Sequence, residues 1–185
     1  RVLFRSIDAD GGGGIAVDRG YNNTFTNNII KNNSNGIKVW EKGSPIFPYT
    51  NTSHDFLIEN NTFYGNQQAI YAQNTQRMIA KNNEFTNNGN GISLSGTATG
   101  DTITNCTFNN TVMYYIENNS TQDIYALNNT FPDDTALIVC KIFDKIDSSA
   151  LGEVFWNPFI AGPSLIYEMV PPADLMEQPS IWDAY

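Results

Sequence analysis

Large apolar residues return at a regular interval through the first two thirds of the chain, and polar residues fill most positions between them. The apolar residue that follows each asparagine pair gives a reference column: Ile30, Phe63, Phe85, Phe108 and Phe131. Its spacings are 33, 22, 23 and 23 residues, so the period is about 22 and one copy carries an insertion of about 11. Seven positions later lie Ile37, Ile70, Ile92, Tyr115 and Ile138. Five positions earlier lie Phe25, Ile58, Ala80, Ile103 and Ala126. Polar residues alternate around each column, which is the periodicity of strands and not of helices. A period of this length marks a solenoid, in which each turn buries the apolar face of its neighbour. The pattern therefore predicts an all-β coil of short parallel strands, about five or six rungs with two or three strands in each. Gly11–Gly14 precede Ile15, which lies 22 residues before Ile37 and marks one further, degenerate rung.

The asparagines fall on the same period. Ahead of each reference residue stand Asn27-Asn28, Asn60-Asn61, Asn82-Asn83, Asn105-Cys106 and Asn128-Asn129. Stacked turns place each of these about 4.8 Å above the next. At that distance carboxamides can donate to one rung and accept from another. Asparagine also tolerates the left-handed backbone of a sharp corner. The asparagines are thus scaffold, and departures from the pattern are where function is sought.

The NNTF and NNEF copies, with GIKV and GISL seven positions on, resemble right-handed parallel β-helix repeat proteins of the pectate-lyase-like superfamily, with NosD-like repeats. The resemblance covers roughly residues 7–160. Lys141–Pro158 also resembles a segment that closes such solenoids. The resemblance implies the fold and a secreted or cell-surface location. Uronic-acid lyases and epimerases of this superfamily use a cation for the sugar carboxylate, a base and an acid. No catalytic motif of theirs is matched residue for residue.

Of 25 asparagines, 24 lie between Asn22 and Asn129, so a change of architecture is expected after that point. The expected organisation is rungs over 1–131, a closing or capping segment over 132–162, and an extended proline-rich tail over 163–185. Pro132-Asp133-Asp134 ahead of TALIVCKIF favours a short capping helix, with one more strand as the rival. The chain begins at Arg1, without Met or an evident N-terminal cap, as a fragment or a mature terminus would. No apolar stretch is long enough to span a membrane. The net charge of −9, with no basic stripe, argues against nucleic acid. Cys106, in an asparagine-ladder position, and Cys140 are expected as free, mostly buried thiols.

The insertion, residues 41–53, follows Trp40 and carries Phe47, Pro48 and Tyr49. Long loops off a solenoid commonly build its binding site. Stacking aligns the outward residues Lys38, Tyr71, Ser93 and Ile116 in one column, and Trp40, Gln73, Ser95 and Asn118 in the next. Lys38, Trp40, Tyr49, Tyr71 and Gln73 are the expected carbohydrate-binding residues, because aromatic faces and polar groups suit sugar rings. A bland alternative is that Trp40 only anchors the loop. His54, the single histidine, is a candidate base. In the lyase or epimerase reading, Lys38 or Arg77 supplies the cation, His54 or Lys38 the base, and Tyr71 the acid. Asp55 stacks on Arg77 and Glu59 on Lys81, which also reads as plain rung-to-rung salt bridges. Glu117 falls on an inward position beside Tyr115. No metal or cofactor is expected. Asp8-Ala9-Asp10 lacks the later ligands of a calcium loop, and a zinc site needs more His or Cys. The expected function is a surface β-helix with a structural or polysaccharide-binding role, the alternative being a lyase or epimerase of a uronic-acid glycan. Expected partners are a polysaccharide, other surface-protein domains, or copies of the chain itself.

Overall fold

The computed structural model describes residues 3–4, 13–41 and 53–161. Within them the chain winds into a β-solenoid of about five turns, every strand pairing parallel with its equivalent one turn away. Three sheets run its length. The long-strand sheet contains Gly13–Asp18, Asn35–Trp40, Gln68–Gln76, Asn90–Thr99, Ile116–Ser120 and Ile142–Phe143. A second sheet holds Ile29–Lys31, Thr62–Tyr64, Glu84–Thr86, Thr107–Asn109 and Thr130–Phe131, with Leu3–Phe4 and Ile160–Ala161 at its edges. The third holds Thr24–Thr26, Leu57–Glu59, Ile79–Lys81, Thr102–Thr104, Ile124–Tyr125 and Val154–Phe155.

The reference column is the axis of the core. Phe63, Phe85, Phe108 and Phe131 are fully buried and stack face to face at 5.0, 4.7 and 5.4 Å between centroids. Each buried ring contributes about 1.5–3 kcal/mol by leaving water, and each stacked pair about 0.5–1.5 more.

The two asparagines of each pair divide the work. The first turns the corner: Asn27, Asn60, Asn82, Asn105 and Asn128 have φ between 53° and 59°. The second points inward and builds the ladder. Asn61 N donates to Asn83 Oδ1 at 2.9 Å, while Asn61 Nδ2 donates to Phe25 O at 2.8 Å. A parallel ladder runs through Asn33, Asn66 and Asn88, with Asn66 N donating to Asn88 Oδ1 at 2.9 Å. It ends at Thr111, whose buried hydroxyl has no hydrogen-bond partner among the described residues. Cys106 occupies the ladder as expected; its N donates to Asn129 Oδ1 at 2.9 Å. Its thiol is buried, whereas Cys140 is exposed, contrary to expectation, because it ends a surface helix.

One register expectation fails. Ile92 pairs with Ile116, not Tyr115, and Ile116 pairs with Ile142, not Ile138. One extra residue between Phe108 and Ile116 shifts the rung. Tyr115 then falls on the small-residue position of Gly91, and Glu117 faces outward opposite Ser93. The corrected outward columns are Ala16, Lys38, Tyr71, Ser93, Glu117 and then Asp18, Trp40, Gln73, Ser95, Asn119. Ile138 is instead the buried residue of the short helix Thr135–Cys140, whose N-cap Asp134 accepts from Leu137 N. After the helix the chain adds a strand to each sheet, so stacking outlasts the asparagines.

Candidate functional site

The outer face of the long-strand sheet gathers most of the expected site. Lys38 and Tyr71 are register partners, as are Trp40 and Gln73. Because the side chains of alternate strand residues share a face, Lys38 and Trp40 project together. The Lys38 ammonium lies 4.9 Å from the Trp40 ring centroid and 5.6 Å from that of Tyr71. Among the described residues it makes no ion pair. A cation held by two π faces keeps its charge available to a ligand. The phenol of Tyr71 shares a hydrogen bond of 3.2 Å with Ser95 Oγ.

The sheet also explains where the insertion leaves. The nine-residue strand Gln68–Gln76 is covered by two pieces, Asn35–Trp40 and Ser53–His54. The insertion emerges between them, and its neck is closed by Ser53 Oγ donating to Trp40 O at 3.0 Å. Tyr49 and residues 42–52 lie outside the described residues.

His54 and Arg77 do not join this patch. His54 pairs with Gln76, five residues along the strand from Tyr71 and beyond the corner at Asn74, whose φ is 54°. Its ring stacks on Tyr21 at 5.6 Å, and its Nδ1 lies 2.6 Å from Asp55 Oδ2. Arg77 clamps the same carboxylate, Nε to Oδ1 at 2.6 Å and Nη2 to Oδ2 at 2.8 Å. These bonds, Arg77 first and His54 second, hold the Asp55 carboxyl well below the usual carboxylate range. Lys81 and Glu59 pair at 3.3 Å. Both rung-to-rung bridges are therefore present. With Phe56, Leu57 and Ile79, residues Asp55, Arg77 and Lys81 line a shallow groove of about 370 Å³ on the third sheet.

Glu117 and Asn90 on the long-strand face were not found from the sequence. Glu117 Oε2 accepts from Asn90 Nδ2 at 2.9 Å and from Ser93 Oγ at 2.7 Å. Asn90 and Ser93 are buried, so the carboxylate is fixed in place while remaining half exposed. The extra residue before Ile116 had hidden Glu117 by assigning it to the interior.

A family model described as periplasmic copper-binding protein (NosD) matches residues 5–139. The chain belongs to the NosD family. The expected parallel β-helix family is thereby established. No curated protein and no solved structure matches the chain significantly. The copper of the family description finds no suitable donor set among the described residues of this NosD-family chain. Among the described residues no three His, Cys, Asp or Glu side chains converge on a site that could hold a metal ion. The single histidine is bound to Asp55 and Arg77. Burial pushes the Cys106 thiol up to about 11, which disfavours the thiolate that would ligate. No helix among the described residues is long and apolar enough to cross a membrane.

Proposed function

We propose that this NosD-family chain is a periplasmic or surface-exposed β-solenoid that binds polysaccharide on the outer face of its long-strand sheet. One observation carries the reading: the Lys38 ammonium sits over the rings of Trp40 and Tyr71 and makes no ion pair among the described residues. Half-buried aromatic rings offer sugar C–H faces a surface, Gln73 and Ser95 offer hydrogen bonds to hydroxyls, and Lys38 favours an acidic sugar. Binding is preferred to lyase or epimerase chemistry because His54 and Arg77 both lie past the Asn74 corner, which leaves Lys38 alone to act as both cation and base beside Tyr71. Metal ligation has no part in this reading.

The test is affinity electrophoresis and calorimetry of the chain against acidic and neutral polysaccharides. The expected result is binding that Trp40→Ala and Tyr71→Ala each weaken at least about tenfold, as for buried aromatic anchors elsewhere. Binding untouched by both substitutions, with the fold intact by circular dichroism, would sink the proposal.

A further inference from the structure

The outward residues of the long-strand sheet form two rails running along the solenoid axis, one through Ala16, Lys38, Tyr71, the buried Ser93 and Glu117, the other through Asp18, Trp40, Gln73, Ser95 and Asn119. Rungs repeat every 4.8 Å or so, and the rails stand about 7 Å apart, two residues along a strand. A linear polymer lying parallel to the axis can touch both rails over several rungs. One lying along a strand meets each rail once. The rung repeat is also close to the length of one pyranose in an extended glycan.

The rails are polar along their length. One rung in from the end formed by Ala16 and Asp18 stands the Lys38 ammonium, which makes no ion pair among the described residues. Three rungs away, about 14 Å, stands the Glu117 carboxylate. Its Oε2 is saturated by Asn90 and Ser93, while Oε1 has no hydrogen-bond partner among the described residues. Glu117 is thus a fixed, half-exposed acceptor, with one oxygen free for ligand hydroxyl or amide donors. The same oxygen repels a second anion.

Resting on the binding reading above, we propose that this face selects an acidic glycan whose charges are spaced, with a uronate at the Lys38 end and a neutral, donor-rich sugar at Glu117. A polymer alternating uronate with N-acetylhexosamine fits both ends in one register. A homopolymer of uronate satisfies Lys38 and places another carboxylate at Glu117.

The experiment measures binding of two oligosaccharides of equal length, one alternating uronate and N-acetylhexosamine, the other an oligouronate. Wild type is expected to prefer the alternating ligand by about five- to tenfold, the size of one unfavourable charge contact near a surface. Glu117→Gln keeps an oxygen for Asn90 and Ser93, removes the charge and turns an amide donor to the ligand, so it should tighten the oligouronate until the ratio reaches one or below. Raising salt on the wild-type chain should narrow the same ratio, because screening acts on the Glu117 contact that only the oligouronate makes. This arm needs no variant. If Trp40→Ala abolishes binding while Glu117→Gln and salt leave the ratio unchanged, the binding face stands and the spacing rule is wrong. If neither oligosaccharide binds, both readings fall.

Discussion

Asp101 shows what one residue can carry in a solenoid. It is almost fully buried in the column of Phe56 and Met78. Its Oδ1 accepts from Met78 N at 2.8 Å, and its Oδ2 from Thr75 Oγ1 at 2.6 Å. This is the ladder bond of the asparagines, made by a carboxylate at another corner. Burial outweighs the two donors and pushes its carboxyl up to about 6 from 3.8. The unfolded chain therefore loses this proton first. Stability is fullest below the unfolded value, falls as pH rises to the folded one, and stays lower above it, by about 3 kcal/mol in all. Asp101→Asn should stabilise the protein by about 1–3 kcal/mol at pH 8 in urea denaturation, with the gain vanishing toward pH 4. A gain independent of pH would mean that the charge is not the cause. Cys106 is the opposite case, a ladder position without an amide. It offers no oxygen to the N–H of Asn83, whose Nδ2 lies 3.9 Å from the sulfur. Cys106→Asn should close the ladder and raise stability by about 1–2 kcal/mol at unchanged m-value, one or two net hydrogen bonds. Asp101 lies outside the columns that periodicity picked out, and its pairing with Thr75 was not legible because that contact crosses a corner.

At the scale of the element, the telling rung is the one with an extra residue. Phe108 to Ile116 is one position longer than Phe85 to Ile92, so a tyrosine replaces glycine at a fully buried site. The Tyr115 ring packs on Phe108 and Phe131, and its hydroxyl reaches Asp133 Oδ2 at 2.6 Å. Lys141 binds the same oxygen at 3.0 Å and donates to Thr111 O at 3.2 Å. The helix Thr135–Cys140 is thus tied to the solenoid on both flanks, by Asp133 before it and Lys141 after it. Burial pushes the Asp133 carboxyl up, but the bonds from Tyr115 and Lys141 hold it below its ordinary value. Tyr115→Phe should cost about 1.5–3 kcal/mol at neutral pH, as for a hydrogen bond to a charged group. The cost should shrink as acid protonates Asp133, measured by thermal or urea unfolding across pH. A loss constant with pH would point to packing alone. Periodicity located every strand column up to Phe108. It misplaced Tyr115, Glu117 and Ile138 because a fixed period cannot show a one-residue insertion that the sheet absorbs at a turn.

Across the whole molecule, each turn touches only its neighbours, so stability is close to a sum of rung and interface terms. Most apolar columns and the first ladder follow from that repetition, and for the same reason they were readable in the sequence. The binding face is readable only in part. Lys38, Trp40, Tyr71 and Gln73 fall on regular rungs and line up by arithmetic. Glu117 with Asn90 and Ser93 needed the true register. His54 needed the Asn74 corner, which separates it from Tyr71 although the two rungs adjoin. The chain is acidic overall, yet its long-strand face carries in Lys38 a cation with no ion pair among the described residues. Long-range steering of an anionic ligand is therefore weak, and discrimination rests on contacts within a few ångströms of the two rails.

The ladders also govern how the protein ages. Beside Asn35-Gly36 the chain holds Asn88-Gly89 and Asn90-Gly91, and such dipeptides deamidate most readily, through attack of the glycine nitrogen on the preceding side-chain carbonyl. Here Gly89 N donates to Asn66 O at 2.8 Å, and Gly91 N donates to Tyr114 O at 2.9 Å. Neither nitrogen can attack until its turn comes apart, so succinimide formation counts openings of that turn. Peptide mass mapping of stored protein should find both sites intact while the solenoid is closed, and converted at rates that rise with any destabilising substitution nearby. Once Asn88 becomes aspartate or isoaspartate, the Asn66–Asn88 rungs cannot re-form as before, and a slow chemical clock becomes an irreversible opening of the coil.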